Sequence, residues 1–157
     1  MEKDSKIAYI CGPLTELDPR EKRRAKYFYD FLANLIEKIT GKYPFVPHHY
    51  YDPKKHPNFS PSQVDSAERS QICEKTSFLV VAALAPSWGG GIEVEMANKS
   101  GVPVIILCKE GKRLSRLLEG NPSVREVIIY SNREDLASEL ESVLKRLFSD
   151  GSLRCSA

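Results

Sequence analysis

Short apolar runs alternate with amphipathic segments along the whole chain. The apolar runs predict five buried strands, over residues 7–11, 43–46, 78–84, 102–108 and 127–130. The segments around them predict helices over 18–40, 62–75, 93–100 and 113–118, and a last helix capped by Ser131-x-x-Glu134. Strands that alternate with helices indicate a parallel sheet covered by helices on both faces.

The predicted fold is an α/β domain with a doubly wound, five-stranded parallel sheet, flavodoxin-like or Rossmann-like, in the strand order 2-1-3-4-5. We expect a single domain over residues 1–148 and a disordered tail over residues 149–157. In this order a ligand binds beyond the carboxyl ends of the first and third strands. The loops that follow them span residues 12–18 and 85–91, and the proline-rich loop 47–60 closes the same end.

Composition narrows the class of protein. Of the 157 residues, 41% are hydrophobic, which is enough for a core without disulfides. A net charge of +2 argues against a nucleic-acid partner, and no apolar stretch reaches the roughly 20 residues of a membrane helix. The four cysteines show no metal-binding spacing, which is typical of reduced thiols. We therefore expect a cytoplasmic protein that needs no cofactor or metal and does not bind membranes.

The loop after the third predicted strand carries the sharpest chemical signal. Gly89 and Gly91 let the backbone approach a ligand closely, and Ser87 offers a hydroxyl. Amides at the start of the following helix can hold a phosphate. Glu93 opens that predicted helix. A carboxylate there also suits simple compensation of the helix dipole, but its place beside the predicted crevice favours a function.

Three further residues lie in the loops around the predicted crevice. Gly12 and Thr15 belong to the turn after the first strand, and His48 belongs to the closing loop. We expect all three to contact a ligand, with His48 touching a base or a phosphate. No third ligand with suitable spacing accompanies His48 and His49, so the sequence predicts no metal site.

The segment around Glu93 resembles a known family pattern. Residues 86–97 read PSWGGGIEVEMA and are similar to the P-S-x-G-x-G-x-E-x-x-x-A segment of the nucleoside 2-deoxyribosyltransferase superfamily. That superfamily includes the 2′-deoxynucleoside 5′-phosphate N-hydrolases. Residues 9–12 (YICG) and 113–120 (RLSRLLEG) also resemble it, and the likeness spans roughly residues 6–148. It implies an enzyme that cleaves the bond between base and sugar.

The resemblance also implies roles for single residues. Glu93 matches the nucleophile that attacks C1′ of the sugar, and Tyr9 matches an aromatic residue that lines the pocket. Ser87 and Ser115 match hydroxyls that hold the 5′-phosphate. The family pattern assigns the second of these hydroxyls to the other subunit of a homodimer, so a homodimer is implied as well.

The chain departs from the family in two places. The family has an aspartate after an arginine in the helix before the third strand, where this chain has Ser70 or Arg69, depending on a one-residue gap. Glu68 or Asp65 could supply the missing acid, or both could simply face solvent. In the first loop, Pro13 and Thr15 stand where the phosphate hydrolases carry a serine and an arginine, and proline has no N–H to donate to a phosphate.

These observations lead to one hypothesis and two alternatives. The hypothesis is an N-glycosidase that acts on a (deoxy)nucleoside 5′-monophosphate through Glu93. A nucleoside 2-deoxyribosyltransferase with the same nucleophile is the near alternative. A nucleotide-binding sensor without catalysis is the alternative from another class. The sequence names neither the base nor the sugar, ribose or deoxyribose.

Overall fold

The structure is a computed structural model that describes residues 6–153. Four parallel strands form a single sheet in the order β1-β2-β3-β4. The strands are β1 (Ile7–Cys11), β2 (Thr76–Ala82), β3 (Val104–Lys109) and β4 (Val124–Tyr130). The helices are α1 (Pro19–Thr40), α2 (Pro47–Tyr51), α3 (Pro61–Lys75), α4 (Trp88–Lys99), α5 (Arg116–Glu119) and α6 (Arg133–Ser149).

The predicted strand over residues 43–46 is not a strand in the structure. Phe45 forms a single parallel bridge to Tyr9 on the outer side of β1. Its amide donates to Ala8 at 2.8 Å, and its carbonyl accepts from Ile10 at 3.0 Å. Pro44 and Pro47 flank this bridge and have no N–H to extend a ladder of hydrogen bonds. Over residues 6–153 the sheet therefore has four strands rather than five, and the order 2-1-3-4-5 is not confirmed.

Helices cover both faces of the sheet, because side chains of a buried parallel strand alternate between two apolar layers. One layer, with Ile10 and Val80, packs against α1 and α6. The other, with Tyr9 and Val81, packs against α3 and α4. Among the described helices, none is long and apolar enough to cross a membrane.

Helix caps explain where the two longest helices begin. Asp18 and Glu21 form the predicted capping box at the start of α1, and Gly41 ends that helix in the left-handed conformation at φ 76°. The predicted cap of α6 at Ser131 is wrong by one residue. Asn132 caps the helix instead, and its side chain accepts from the amide of Asp135 at 2.9 Å.

Residues 149–153 are the described part of the segment that the sequence predicts to be a disordered tail, residues 149–157. Ser149 is the last residue of α6, and Leu153 is buried, with its amide donating to the carbonyl of Leu147 at 2.9 Å. A single apolar side chain thus anchors the first part of this segment to the core. Residues 154–157 lie outside the described part of the chain.

Candidate active site

Glu93 lies inside α4, not at its head as the sequence predicted. The helix begins at Trp88, so Gly89, Gly90 and Gly91 belong to its first turn and Glu93 to its second. The Glu93 side chain is buried, with 8% relative exposure. Compensation of the helix dipole does not account for a carboxylate that is buried one turn beyond the helix start, because that effect acts in the first turn and at exposed positions.

Strand β1 supplies the groups that hold Glu93. The hydroxyl of Tyr9 donates to Oε1 of Glu93 at 2.5 Å. Tyr9 and Cys11 are two residues apart on β1, so both side chains point to the layer under α4. The Cys11 thiol donates to the carbonyl of Gly90 at 3.7 Å. A Cβ at Gly90 would stand 3.3 Å from Cys11 Sγ, so the glycine lets the helix pack closely on the strand.

Burial and hydrogen bonding act in opposite directions on this carboxyl. Burial raises the pKa of Glu93, whereas the nearby Cys11 thiol and the hydroxyl of Tyr9 lower it by stabilising the carboxylate. Burial, followed by the charge of Glu93, raises the pKa of Tyr9 well above its usual value. The phenol therefore stays protonated and remains a hydrogen-bond donor to the carboxylate.

Glu68 is the second carboxyl of the site. It lies on α3, half-buried, and lines the same cleft as Glu93. Burial, then the charges of Glu93 and Asp65, raises the pKa of Glu68 to about 7. A carboxylic acid with such a pKa keeps its proton on a substantial fraction of molecules at neutral pH and can give it to a reacting group.

Asp65 also lines the cleft, but its carboxylate is already paired. Arg69 binds it through two hydrogen bonds, at 3.0 and 3.2 Å, in an exposed i,i+4 ion pair on α3. Ser70 and Arg69, the two candidates for the aspartate position of the family, are not among the described residues that line the cleft. Of the two acids that the sequence proposed, Glu68 is thus the one whose pKa is raised by burial and by the charge of Glu93.

The cleft has a volume of about 650 Å³ and opens at the carboxyl ends of β1 and β2. Five more of the residues that the sequence proposed for ligand binding line it: Gly12, Thr15, His48, Ser87 and Gly89. Tyr29, Tyr51 and Phe59 add aromatic surface. The aromatic residues come from α1, α2 and the loop before α3, so the proline-rich segment closes this end as predicted.

The start of α4 is already occupied by groups of the protein. The Ser87 hydroxyl accepts from the amide of Gly90 at 3.1 Å and caps the helix. The amide of Trp88 donates to Oε1 of Glu16 at 3.3 Å. Glu16 comes from the loop between β1 and α1 and lines the cleft.

Three of the predicted ligand contacts are not among the described residues that line the cleft: Tyr9, Ser115 and Gly91. Tyr9 is fully buried, and its hydroxyl donates to Glu93 instead. Ser115 is exposed and caps α5, with its hydroxyl accepting from the amide of Leu118 at 3.5 Å, and it is not among the described residues that line the cleft. The helix predicted over 113–118 spans only Arg116–Glu119 in the structure, because Ser115 caps it rather than lying within it. Gly91 is exposed on α4 and also lies outside the described lining.

His48 belongs to a small cluster that the sequence did not predict. Oδ1 of Asp30 lies 3.4 Å from Nε2 of His48 and 3.0 Å from Nε2 of His49. These three residues could hold a metal ion. The sequence shows no third ligand at a suitable spacing from His48 and His49, but the fold brings Asp30 next to them. Burial, then His49, lowers the pKa of His48 to about 4, and this histidine is neutral at pH 7. In the structure these three side chains link α1 to α2 through hydrogen bonds.

Three residues of the site escaped the sequence reasoning: Glu16, Cys11 and Tyr29. The hydroxyl of Tyr29 donates to the carbonyl of Pro13, and a Cβ at Gly12 would stand 2.5 Å from that hydroxyl oxygen. Helix α1 therefore fixes the loop that carries Glu16. The apolar stripe of α1 includes Tyr29, but nothing in the sequence shows that its hydroxyl reaches this loop.

Comparison with known proteins supports the fold. No family model matches the sequence, and a search of curated proteins found no match either. The architecture is nevertheless shared with an N-glycosidase of known structure. That structure is the Clostridium botulinum CMP N-glycosidase BcmB, with a TM-score of 0.60 and 20% sequence identity, covering 86% of this chain and 98% of that chain. The resemblance found in the sequence is thus confirmed at the level of the fold.

Proposed function

We propose that this protein is an N-glycosidase that cleaves the bond between base and sugar of a nucleoside or nucleotide, with Glu93 as the nucleophile. The observation that carries the proposal is the buried Glu93 carboxylate, which Tyr9 holds at 2.5 Å beside an open cleft. Among the described residues, no Lys, Arg or His forms an ion pair with Glu93. A buried carboxylate without a cation destabilises the fold, and such groups concentrate at functional sites.

The reaction uses the two carboxyls in sequence. An oxygen of Glu93 attacks C1′ as the bond from C1′ to the base nitrogen breaks, and the bonding electron pair leaves with the base. Glu68 gives its proton to the departing base. Water then attacks C1′ of the glycosyl ester, returns a proton to Glu68 and releases Glu93 as a carboxylate. The sugar leaves with one new hydroxyl at C1′.

The proton resides on Glu68 rather than on Glu93 because Glu93 accepts the hydrogen bond of the Tyr9 hydroxyl, which stabilises its charged form. Two neighbouring carboxyls cannot both ionise easily, so the pair shares one proton over a wide pH range. Donors that face Glu93 favour its charged form. The result is one carboxylate and one carboxylic acid, which the proposed reaction needs.

Structural similarity supports glycosidase chemistry rather than binding alone. The neighbour of known structure, BcmB, is a CMP N-glycosidase. A nucleotide-binding sensor would not need an acid of pKa about 7 opposite a buried carboxylate. Transfer of the sugar to a second base uses the same first step and stays the second candidate. A homodimer with Ser115 of the partner subunit at the 5′ end of the sugar, as the resemblance implies, also stays a prediction.

Base release from a panel of nucleosides and nucleotides tests the proposal. We expect wild-type protein to release free base and free sugar, and Glu93→Gln to lose activity by about 10⁴-fold, the scale on which loss of a catalytic group acts. Glu95→Gln is the matched control, because Glu95 is exposed on the same helix and binds Asn98 and Asn121 instead of facing the cleft. Base exchange without free sugar would assign the protein to the transferases. Tight binding without base release, unchanged in Glu93→Gln, would assign it to the sensors.

A further inference from the structure

The cleft carries one sign of charge only. Among the described residues that line it, four are carboxylic acids, and none is lysine or arginine. The acids are Glu16, Asp65, Glu68 and Glu93. His48, the only histidine of the described lining, has its pKa lowered to about 4 by burial and by His49, and it supplies no positive charge at neutral pH. A phosphate dianion in this cleft would be repelled by the carboxylates of Glu16 and Glu93, and Arg69, next to the lining, is already paired with Asp65.

Glu16 occupies the position where an anion would bind. A helix N-terminus binds phosphate through free amides, and α4 begins at this cleft. Here, however, the first amide of α4, that of Trp88, donates to the Glu16 carboxylate at 3.3 Å. The protein therefore places its own carboxylate at the start of the helix.

The groups next to Glu16 offer a phosphate few hydrogen-bond donors. Pro13 has no amide hydrogen, and its carbonyl accepts from the hydroxyl of Tyr29. The amide of Gly90 is used by the capping hydroxyl of Ser87 at 3.1 Å. A phosphate could take the amide of Trp88 only by displacing Glu16, and a phosphate at the next amide, that of Gly89, would lie beside the Glu16 carboxylate.

We propose that the substrate is a nucleoside with a free 5′-hydroxyl, and that Glu16 is the residue that selects it over the 5′-monophosphate. The proposal rests on the proposed function, since it assumes that Glu93 attacks C1′ and that Glu68 faces the base. The 5′ end of the sugar then lies at the loop between β1 and α1. There the Glu16 carboxylate accepts a hydrogen bond from a hydroxyl and repels a phosphate. The 5′-monophosphate implied by the family resemblance is thus not the substrate.

Paired substrates test this selection. Each nucleoside is compared with its own 5′-monophosphate, so that base and sugar are identical, and kcat/KM for base release is measured for both. We expect wild-type protein to prefer the nucleoside by roughly tenfold or more, the effect of one like-charge contact in a partly solvated site. Glu16→Gln should reduce this preference by about tenfold, mainly through a lower KM for the monophosphate. Glu37→Gln removes the same charge from an exposed position of α1 and should keep the wild-type preference.

The outcomes separate this proposal from the proposed function. Base release that depends on Glu93 but favours the monophosphate in wild-type protein overturns the nucleoside proposal alone. An unchanged preference in Glu16→Gln also overturns it, because Glu16 would not be the selecting residue. If neither member of any pair loses its base, the proposed function fails and the nucleoside proposal fails with it.

Discussion

The hydroxyl of Tyr9 donates to Oε1 of Glu93 at 2.5 Å and links the first strand to a helix 84 residues later in the chain. The hydrogen bond fixes the orientation of the carboxylate and favours its charged form against the effect of burial. Tyr9 is therefore a positioning residue for the proposed nucleophile, and it is fully buried rather than exposed in the cleft. Its own ring is held by stacking on Phe45 at a centroid distance of 5.3 Å.

Removal of the Tyr9 hydroxyl tests this relationship. Tyr9→Phe should lower kcat by roughly tenfold to a hundredfold, since a hydrogen bond to a charged group contributes about 1.5–3 kcal/mol. It should also move the acidic limb of the pH–rate profile to higher pH, because the lost donor had lowered the pKa of Glu93. A pH–rate profile of the variant measures both effects. A lower kcat with an unmoved acidic limb would indicate a purely structural role for Tyr9.

The alkaline limb of the same profile should report Glu68. The proposed acid must be protonated, and the pKa of Glu68 is about 7, so kcat should fall as the pH rises through that region. Glu68→Gln should lower kcat by about 10²–10⁴-fold and abolish the limb near pH 7. Glu74→Gln, an exposed carboxylate on the same helix, serves as the control. Retention of the limb in Glu68→Gln would assign the proton to another group.

The buried charge of Glu93 should lower the free energy of unfolding at neutral pH. Its pKa is raised in the folded state by burial, so its contribution to stability is greatest below its pKa in the unfolded chain and is lost as the pH rises through the folded value. At pH 7, Glu93→Gln should raise the free energy of unfolding by about 0.5–2 kcal/mol, because a neutral amide still accepts from Tyr9. Urea unfolding at pH 7 measures the difference. A destabilised variant would mean that the carboxylate has a cationic partner.

Two glycines should respond to alanine with opposite signs. A Cβ at Gly12 would stand 2.5 Å from the hydroxyl oxygen of Tyr29, so Gly12→Ala should cost about 1–3 kcal/mol by overpacking. A Cβ at Gly91 has no neighbour within 4 Å, and alanine favours a helix more than glycine does. Gly91→Ala should therefore stabilise the protein by up to about 1 kcal/mol. Thermal unfolding of both variants checks the pair, and equal shifts would contradict it.

The sequence predicts those parts of the fold that local patterns determine. The bounds of β1 and α1 follow from an apolar run and from a capping box with a C-terminal glycine. Helix α2, in contrast, has five residues and begins at Pro47 without a side-chain cap, so a propensity pattern gives it no signal. The bridge at Phe45 escapes for a similar reason, because one residue pair is too short to show alternation.

The candidate site, too, has residues that local sequence patterns predict and contacts that they do not. Glu93 is marked by a glycine-rich segment at the end of a buried strand and by the family pattern that this segment resembles. The contact between Glu16 and Trp88 joins a loop to the first residue of α4, 72 residues later, and it depends on how that helix begins. Since the sequence placed the start of that helix five residues too late, the carboxylate at its first amide could not be foreseen.

The most direct test of the central claim is a search for a sugar attached to Glu93. Protein quenched during turnover of a nucleoside, with a 2′-fluoro analogue to slow the second step, is digested and analysed by peptide mass spectrometry. We predict a glycosyl ester on the peptide that contains Glu93, formed as the base is released and absent from Glu93→Gln. Base release with full activity in Glu93→Gln, or an adduct on a different carboxylate, would contradict the proposal that Glu93 attacks C1′.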